Sequence, residues 1–134
     1  MIYGIGTDIL NSDRIKKLIN KYNYKFINKF FGKDEICASK SKFNKYLFFS
    51  KRFAAKEAFW KAYSPIKAGE IKFKDVQIIS DLNGKPKIKI SGDTLKIIRN
   101  HEKSFKNKFH FNISLSDEPP NVLAFVIIFL ARNE

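Results

Sequence analysis

Two acidic side chains stand where the surrounding sequence is apolar. Asp8 interrupts the run Ile5-Gly6-Thr7-Asp8-Ile9-Leu10, and Glu57 lies inside Lys51-Arg52-Phe53-Ala54-Ala55-Lys56-Glu57-Ala58-Phe59-Trp60-Lys61-Ala62. A carboxylate removed from water is costly unless it is paired or holds a metal. Hard divalent cations such as magnesium take carboxylate oxygens together with waters and phosphate oxygens, not a full protein cage. Two carboxylates on elements that pack together would meet that demand. Lys61 follows Glu57 by one helical turn, within reach of it, and Arg52 and Lys56 form a second basic pair well round the helix. The plainer readings are that Asp8 caps a turn or helix and that Glu57 makes an ordinary helical ion pair with Lys61 or Lys56.

The elements that must position these groups are legible from pattern. No proline or glycine occurs from Lys42 to Tyr63, and four alanines with long basic residues predict a helix there. Tyr46, Ser50, Phe53, Glu57 and Trp60 share one stripe of it at about 100° per residue. Phe48, Phe49 and Phe59 cover much of the remainder, so the helix is expected to be buried on several sides. Residues 2–10 read as an opening strand, whose Gly4 and Gly6 suggest close approach of another backbone or a ligand. Asn11 or Ser12 can cap a first helix with Ile15, Leu18 and Ile19 on one side and Arg14, Lys16, Lys17 and Lys21 on the other. Residues 24–31 are ambiguous between helix and loop, Gly32 ends them, and Asp34-Glu35 open a short helix.

Beyond the central helix, residues 64–69 read as a loop and 73–79 as a strand. Asn83-Gly84 is a hairpin signal before the alternating Lys85-Pro86-Lys87-Ile88-Lys89-Ile90. Ser91 or Asp93 can cap a helix carrying Leu95, Ile98 and His101. Residues 109–115 alternate as a strand, and the continuous apolar run 122–130 predicts a strand covered on both faces. Strand, helices, hairpin, helix and two strands describe one α+β domain spanning 1–134, a sheet with a long central helix.

Composition narrows the class. The 134 residues, 44% hydrophobic with 14 phenylalanines, suffice for a real core and exclude a disordered chain. A net charge of +13, from 26 Lys+Arg against 13 Asp+Glu, implies an anionic partner or reflects a compositional bias toward Lys, Asn, Ile and Phe. Cys37 is the only cysteine, so no internal disulfide can form. The start lacks a basic n-region, and the longest apolar run is far short of the ~20 residues that span a bilayer. These features together predict a cytoplasmic protein with no membrane partner. Nucleotide-loop glycine fingerprints are absent, and one cysteine with His101 and His110 makes no zinc set. Ser114, Ser116 and Asp117 read as strand-end polar groups. Interleaved basic and aromatic residues across 21–45 also suit a non-catalytic nucleic-acid-binding module, the second reading kept at this point.

The order of residues adds more than their spacing. Gly4-Ile5-Gly6-Thr7-Asp8-Ile9 followed by Arg14-Ile15 resembles the opening of the holo-acyl-carrier-protein synthase type of phosphopantetheinyl transferase. Arg52-Phe53-Ala54-Ala55-Lys56-Glu57-Ala58, with Lys61-Ala62 at the expected offset, resembles the second signature of that family. Phe73-Lys74-Asp75-Val76, Asn83-Gly84-Lys85-Pro86 and Ile113-Ser114-Leu115-Ser116 continue the likeness in order, over residues 2–128.

The resemblance implies an α+β fold of the 4′-phosphopantetheinyl transferase type. It implies Mg²⁺-dependent transfer of 4′-phosphopantetheine from coenzyme A to a serine of apo acyl carrier protein, leaving adenosine 3′,5′-bisphosphate. Asp8 and Glu57 would hold the Mg²⁺, and Lys61 would neutralise the pyrophosphate and leaving group. Arg52 would meet the phosphorylated adenosine end of coenzyme A, and Arg14 the acidic carrier protein. Glu57 or a water on the metal would take the serine proton, and the sequence leaves both open. The resemblance further implies a homotrimer with sites between subunits, and no nucleic-acid partner. The chain departs from the family after Ala62, where Tyr63-Ser64-Pro65-Ile66 replaces a frequent Gly-Thr-Gly. It departs again at Asn112 and Asp117, where histidines are frequent, and both positions stay outside the catalytic set.

Overall fold

The computed structural model describes residues 1–63 and 71–132, so the loop read at 64–69 lies outside the described residues. In chain order the elements are β1 (Ile2–Asn11), α1 (Ser12–Tyr22), α2 (Tyr24–Phe30), α3 (Lys33–Ser39) and α4 (Lys45–Tyr63). A single 3-10 turn (Phe73–Asp75) leads into β2 (Val76–Ser80), followed by β3 (Pro86–Ile90), α5 (Gly92–Phe105), β4 (Asn107–Glu118) and β5 (Asn121–Arg132). The ambiguous segment after the first helix is helical. The strand expected from Phe73 starts three residues later, because the 3-10 turn occupies its head.

β1, β5 and β4 form an antiparallel sheet with β5 in the centre, and β2 and β3 form a separate hairpin. The hairpin closes at Asn83-Gly84, with Gly84 at φ 79° and Ser80 opposite Pro86. Asn11 caps α1 through its side chain, which accepts from the Asp13 amide at 2.9 Å.

The α4 helix lies across the inner face of the three-stranded sheet. Val122, Ala124, Val126, Ile128 and Leu130 of β5 are buried beneath it. On its other side Phe53 packs against Phe26, Phe30 and Phe73. Burial on several sides, expected from the sequence, is what the helix shows. The expectation that β5 is covered on both faces fails. Its alternate residues Leu123, Phe125, Ile127 and Phe129 point out of the outer face and are half-buried or exposed. An unbroken apolar run signals two covered faces only if the chain itself covers both, and here one side is left open.

Gly4 and Gly6 determine how closely β1 approaches the helix. A Cβ on Gly4 would meet the Ala62 carbonyl oxygen at 1.8 Å, and one on Gly6 the Ala58 oxygen at the same distance. Strand and helix thus touch backbone to backbone, with alanines as the helix's contact residues. Gly6→Ala is therefore expected to lower the melting temperature by at least ~5 °C, since overpacking of even one methyl costs about 1–3 kcal/mol or more. Gly84→Ala meets no atom, so its cost is confined to the strain of an alanine at φ 79°, about 1–2 kcal/mol, and should be the smaller. Thermal unfolding of the two variants checks the ranking, and equal losses would contradict the close-approach explanation.

The face of α4 turned toward β2 carries a buried ionic network. Lys56 Nζ donates to Glu35 Oε1 at 2.7 Å, to the Val76 carbonyl at 2.5 Å and to the Phe73 carbonyl at 2.9 Å. Neither side chain of the Lys56–Glu35 pair is exposed. Burial pushes the Lys56 ammonium down to about 8, with Glu35 pulling against that shift. Glu35 also accepts the Gly32 amide at 3.0 Å and the Ile78 amide at 3.1 Å. Gln77 Oε1 accepts the Asp34 and Glu35 amides, so a β2 side chain caps α3 in place of the side chain Gly32 lacks.

Candidate active site

Asp8 lies two residues beyond Gly6 on β1, on the side of the strand that faces α4. The close approach imposed by the glycines brings it to the helix where Glu57 and Lys61 project. Lys61 Nζ donates to Asp8 Oδ1 at 3.2 Å and to the Thr7 carbonyl at 2.9 Å, joining segments 53 residues apart. The Asp8 side chain is 16% exposed and that of Lys61 48%, so the patch is open to a ligand from one side.

Glu57 is half-buried, and its carboxyl is pushed above the usual range, first by burial and then by the negative charge of Asp8. The Lys61 ammonium and the Arg14 guanidinium oppose that shift. Asp8, Glu57, Lys61 and Arg14 thus share one electrostatic neighbourhood, assembled from β1, α1 and α4. The ordinary helical-pair reading needs correction at Lys56. Lys56 points away from Glu57 into its pair with Glu35, and Lys61 pairs with Asp8 across elements.

Among the described residues no group of three or more His, Cys, Asp and Glu forms a metal cage. The donor set still suits magnesium. Two carboxylates close enough for one to raise the other's proton affinity offer a hard cation two anionic oxygen ligands. Such a cation keeps its remaining positions for water and phosphate oxygens.

Arg52 is not part of this patch. It is buried, its Nε donates to the Ile78 carbonyl at 3.1 Å, and its guanidinium lies 3.6 Å from the centre of the Phe48 ring. Asp117 forms an ion pair with Lys51 at 3.0 Å, and His101 hydrogen-bonds to the Tyr63 hydroxyl. His110 is exposed.

The model of the 4′-phosphopantetheinyl transferase superfamily matches residues 4–120. The chain belongs to that superfamily. It is 42% identical to the holo-[acyl-carrier-protein] synthase of Orientia tsutsugamushi (strain Boryong) over 130 residues, 96% of this chain and 97% of the relative. The crystal structure of the Neisseria meningitidis holo-[acyl-carrier-protein] synthase superposes with a TM-score of 0.84 at 34% identity, covering 96% of this chain and 99% of that one. The Bacillus anthracis synthase, solved in complex with CoA (3′,5′-ADP), has a TM-score of 0.74 at 28% identity over 98% of each chain. The expected α+β transferase fold and the phosphopantetheinyl transferase class are both met, and the transferase class displaces the reading as a non-catalytic module.

Glu35 and Gln77 escaped the reading of motifs. Their partners lie 21 to 43 residues away in sequence. The one local hint is a glycine three residues before a glutamate, the spacing of a capping box.

Proposed function

We propose that this superfamily member transfers 4′-phosphopantetheine from coenzyme A to a serine of apo acyl carrier protein with Mg²⁺, leaving adenosine 3′,5′-bisphosphate. The observation that carries the proposal is the meeting of Asp8, Glu57 and Lys61 at one half-open patch. The coenzyme A complex of a relative supports the donor. Asp8 and Glu57 are the residues that would hold Mg²⁺, which when bound stabilises charge on the pyrophosphate oxygens. In the transfer the serine oxygen bonds to the phosphorus next to pantetheine, and the bond from that phosphorus to the bridging pyrophosphate oxygen breaks. The serine proton leaves to a base, for which Glu57 is the side chain at hand. Lys61 places its ammonium where negative charge grows on the leaving group. Arg52, its Nε already held by Ile78, would offer its terminal nitrogens to the phosphorylated adenosine end. No covalent enzyme intermediate is needed, since phosphoryl transfer mainly asks for positioning and charge neutralisation.

Arg14 is proposed as the carrier-protein contact. It borders a groove of about 360 Å³ with Leu18, Tyr22 and Phe30 on its walls and Lys25 and Lys29 beside it. Apolar residues flanked by cations suit an acidic helix. Arg14→Glu should raise KM for the carrier protein at least ~10-fold and leave KM for coenzyme A within ~2-fold. Added salt should weaken carrier-protein binding as well. Steady-state kinetics in each substrate check this, and an equal effect on both substrates would count against the surface.

The open outer face supports the homotrimer. Beside the β5 residues named above, Ile5 and Ile9 of β1 are 54% and 70% exposed, and contiguous apolar surface of this kind marks an interface. Equilibrium sedimentation of a monomer would dismiss the trimer. No helix among the described residues is long and apolar enough to cross a membrane, and the proposed location is the cytoplasm. Incubation with coenzyme A, Mg²⁺ and apo acyl carrier protein, read by intact mass, tests the whole proposal. A carrier protein of unchanged mass would reject it.

A further inference from the structure

The strand-facing side of α4 is bonded to β1 through Lys61, itself one of the groups to be aimed. Its contact residues there are Ala58 and Ala62, set against Gly6 and Gly4, and such surfaces are smooth. The opposite side is different. Lys56 places its ammonium among three acceptors, from α3, the 3-10 turn and the head of β2, all within 2.9 Å. Glu35 is itself held by two backbone amides, and Gln77 fixes the start of α3 that carries it. Lys56 immediately precedes Glu57 in the helix, and neither Lys56 nor Glu35 touches the reacting groups.

We infer that Lys56 and Glu35 are positioning residues. Their buried pair sets the rotation of α4 and thereby aims Glu57 and Lys61 at Asp8. The inference rests on the transferase reading for its activity arm. Directional hydrogen bonds resist rotation, whereas apolar packing tolerates it. Side-chain ends lie about 5–6 Å from a helix axis, so a turn of ~10° moves them ~1 Å. A misplacement of that size costs a preorganised site roughly 10²-fold.

The double substitution Lys56→Met with Glu35→Gln separates positioning from mere stability. A neutral pair leaves no buried charge, which offsets the loss of the ion pair, while the Phe73 and Val76 carbonyls lose their Lys56 donor, which lowers stability. The double variant is expected to melt below the parent but to remain folded at the assay temperature, while kcat falls about 10²-fold and KM for coenzyme A changes less than ~3-fold. In the absence of substrates, the Mg²⁺ concentration needed for a given rise in melting temperature should increase about 10-fold. A double variant with the parent's kcat and Mg²⁺ response would overturn the inference. If the double variant is too unstable to assay, Lys56→Gln with Glu35→Gln, which keeps an amide donor near the Phe73 and Val76 carbonyls and no buried charge, decides by the same two readouts. A parent that binds Mg²⁺ but does not load the carrier protein would sink the transferase reading, and the Mg²⁺ titrations would still decide the positioning. A parent whose melting Mg²⁺ does not shift would overturn both.

Discussion

Glu57→Gln is expected to lower turnover by roughly 10³-fold or more while the metal-free protein melts at the parent's temperature or above it. The rate loss follows from removing one of two carboxylates for Mg²⁺. Metal stabilisation of developing charge is worth several kcal/mol, and each 1.36 kcal/mol is tenfold. The stability effect has the opposite sign because the folded chain holds the Glu57 proton more tightly than the unfolded chain does, through burial and the charge of Asp8. A carboxyl raised in this way makes stability fall as pH rises from the ordinary glutamate value through the folded one, after which the penalty stays constant. At neutral pH the ionised Glu57 is therefore a liability that glutamine removes. Added Mg²⁺ should raise the melting temperature of the parent and much less that of the variant. Thermal scans with and without Mg²⁺, beside turnover, check both halves. A variant that melts well below the parent, or turns over normally, would contradict the two-carboxylate site.

Lys61→Met should lower kcat by about 10²–10³-fold, the usual cost of losing one donor from a preorganised site. Its effect on stability should be small. Lys61 is half-exposed in its pair with Asp8, and solvent-exposed pairs contribute only ~0–1 kcal/mol. KM for coenzyme A should change modestly, because the ammonium meets most negative charge in the transition state. Steady-state kinetics and a melting curve decide between the roles. An unchanged kcat would leave Lys61 a structural partner of Asp8, and a loss confined to KM would make it a ground-state binding group.

Both predictions concern residues that local sequence singles out, and the reason is physical. A carboxylate in an apolar run is costly in any fold that buries the run, so Asp8 and Glu57 are conspicuous before any contact is known. The long helix, the hairpin at Asn83-Gly84 and the alternation of β4 rest on neighbours a few positions apart, which periodicity reports. Gly4 and Gly6 announce a close approach for the same reason, since a missing side chain is visible locally. What approaches them is not: only the tertiary structure shows that it is the backbone of α4 at Ala58 and Ala62. The partner of each charge was likewise decided in three dimensions. Lys56 and Lys61 flank Glu57 in sequence, yet Lys56 binds Glu35 on one side of the helix and Lys61 binds Asp8 on another. Arg52 turned inward to Ile78 and Phe48. Nor could the apolar run of β5 reveal that one of its faces stays open, because hydropathy reports an aversion to water and not what will satisfy it. Sequence determined which groups must avoid isolation, and the packing of α4 between β1 and β2 decided with whom each is paired.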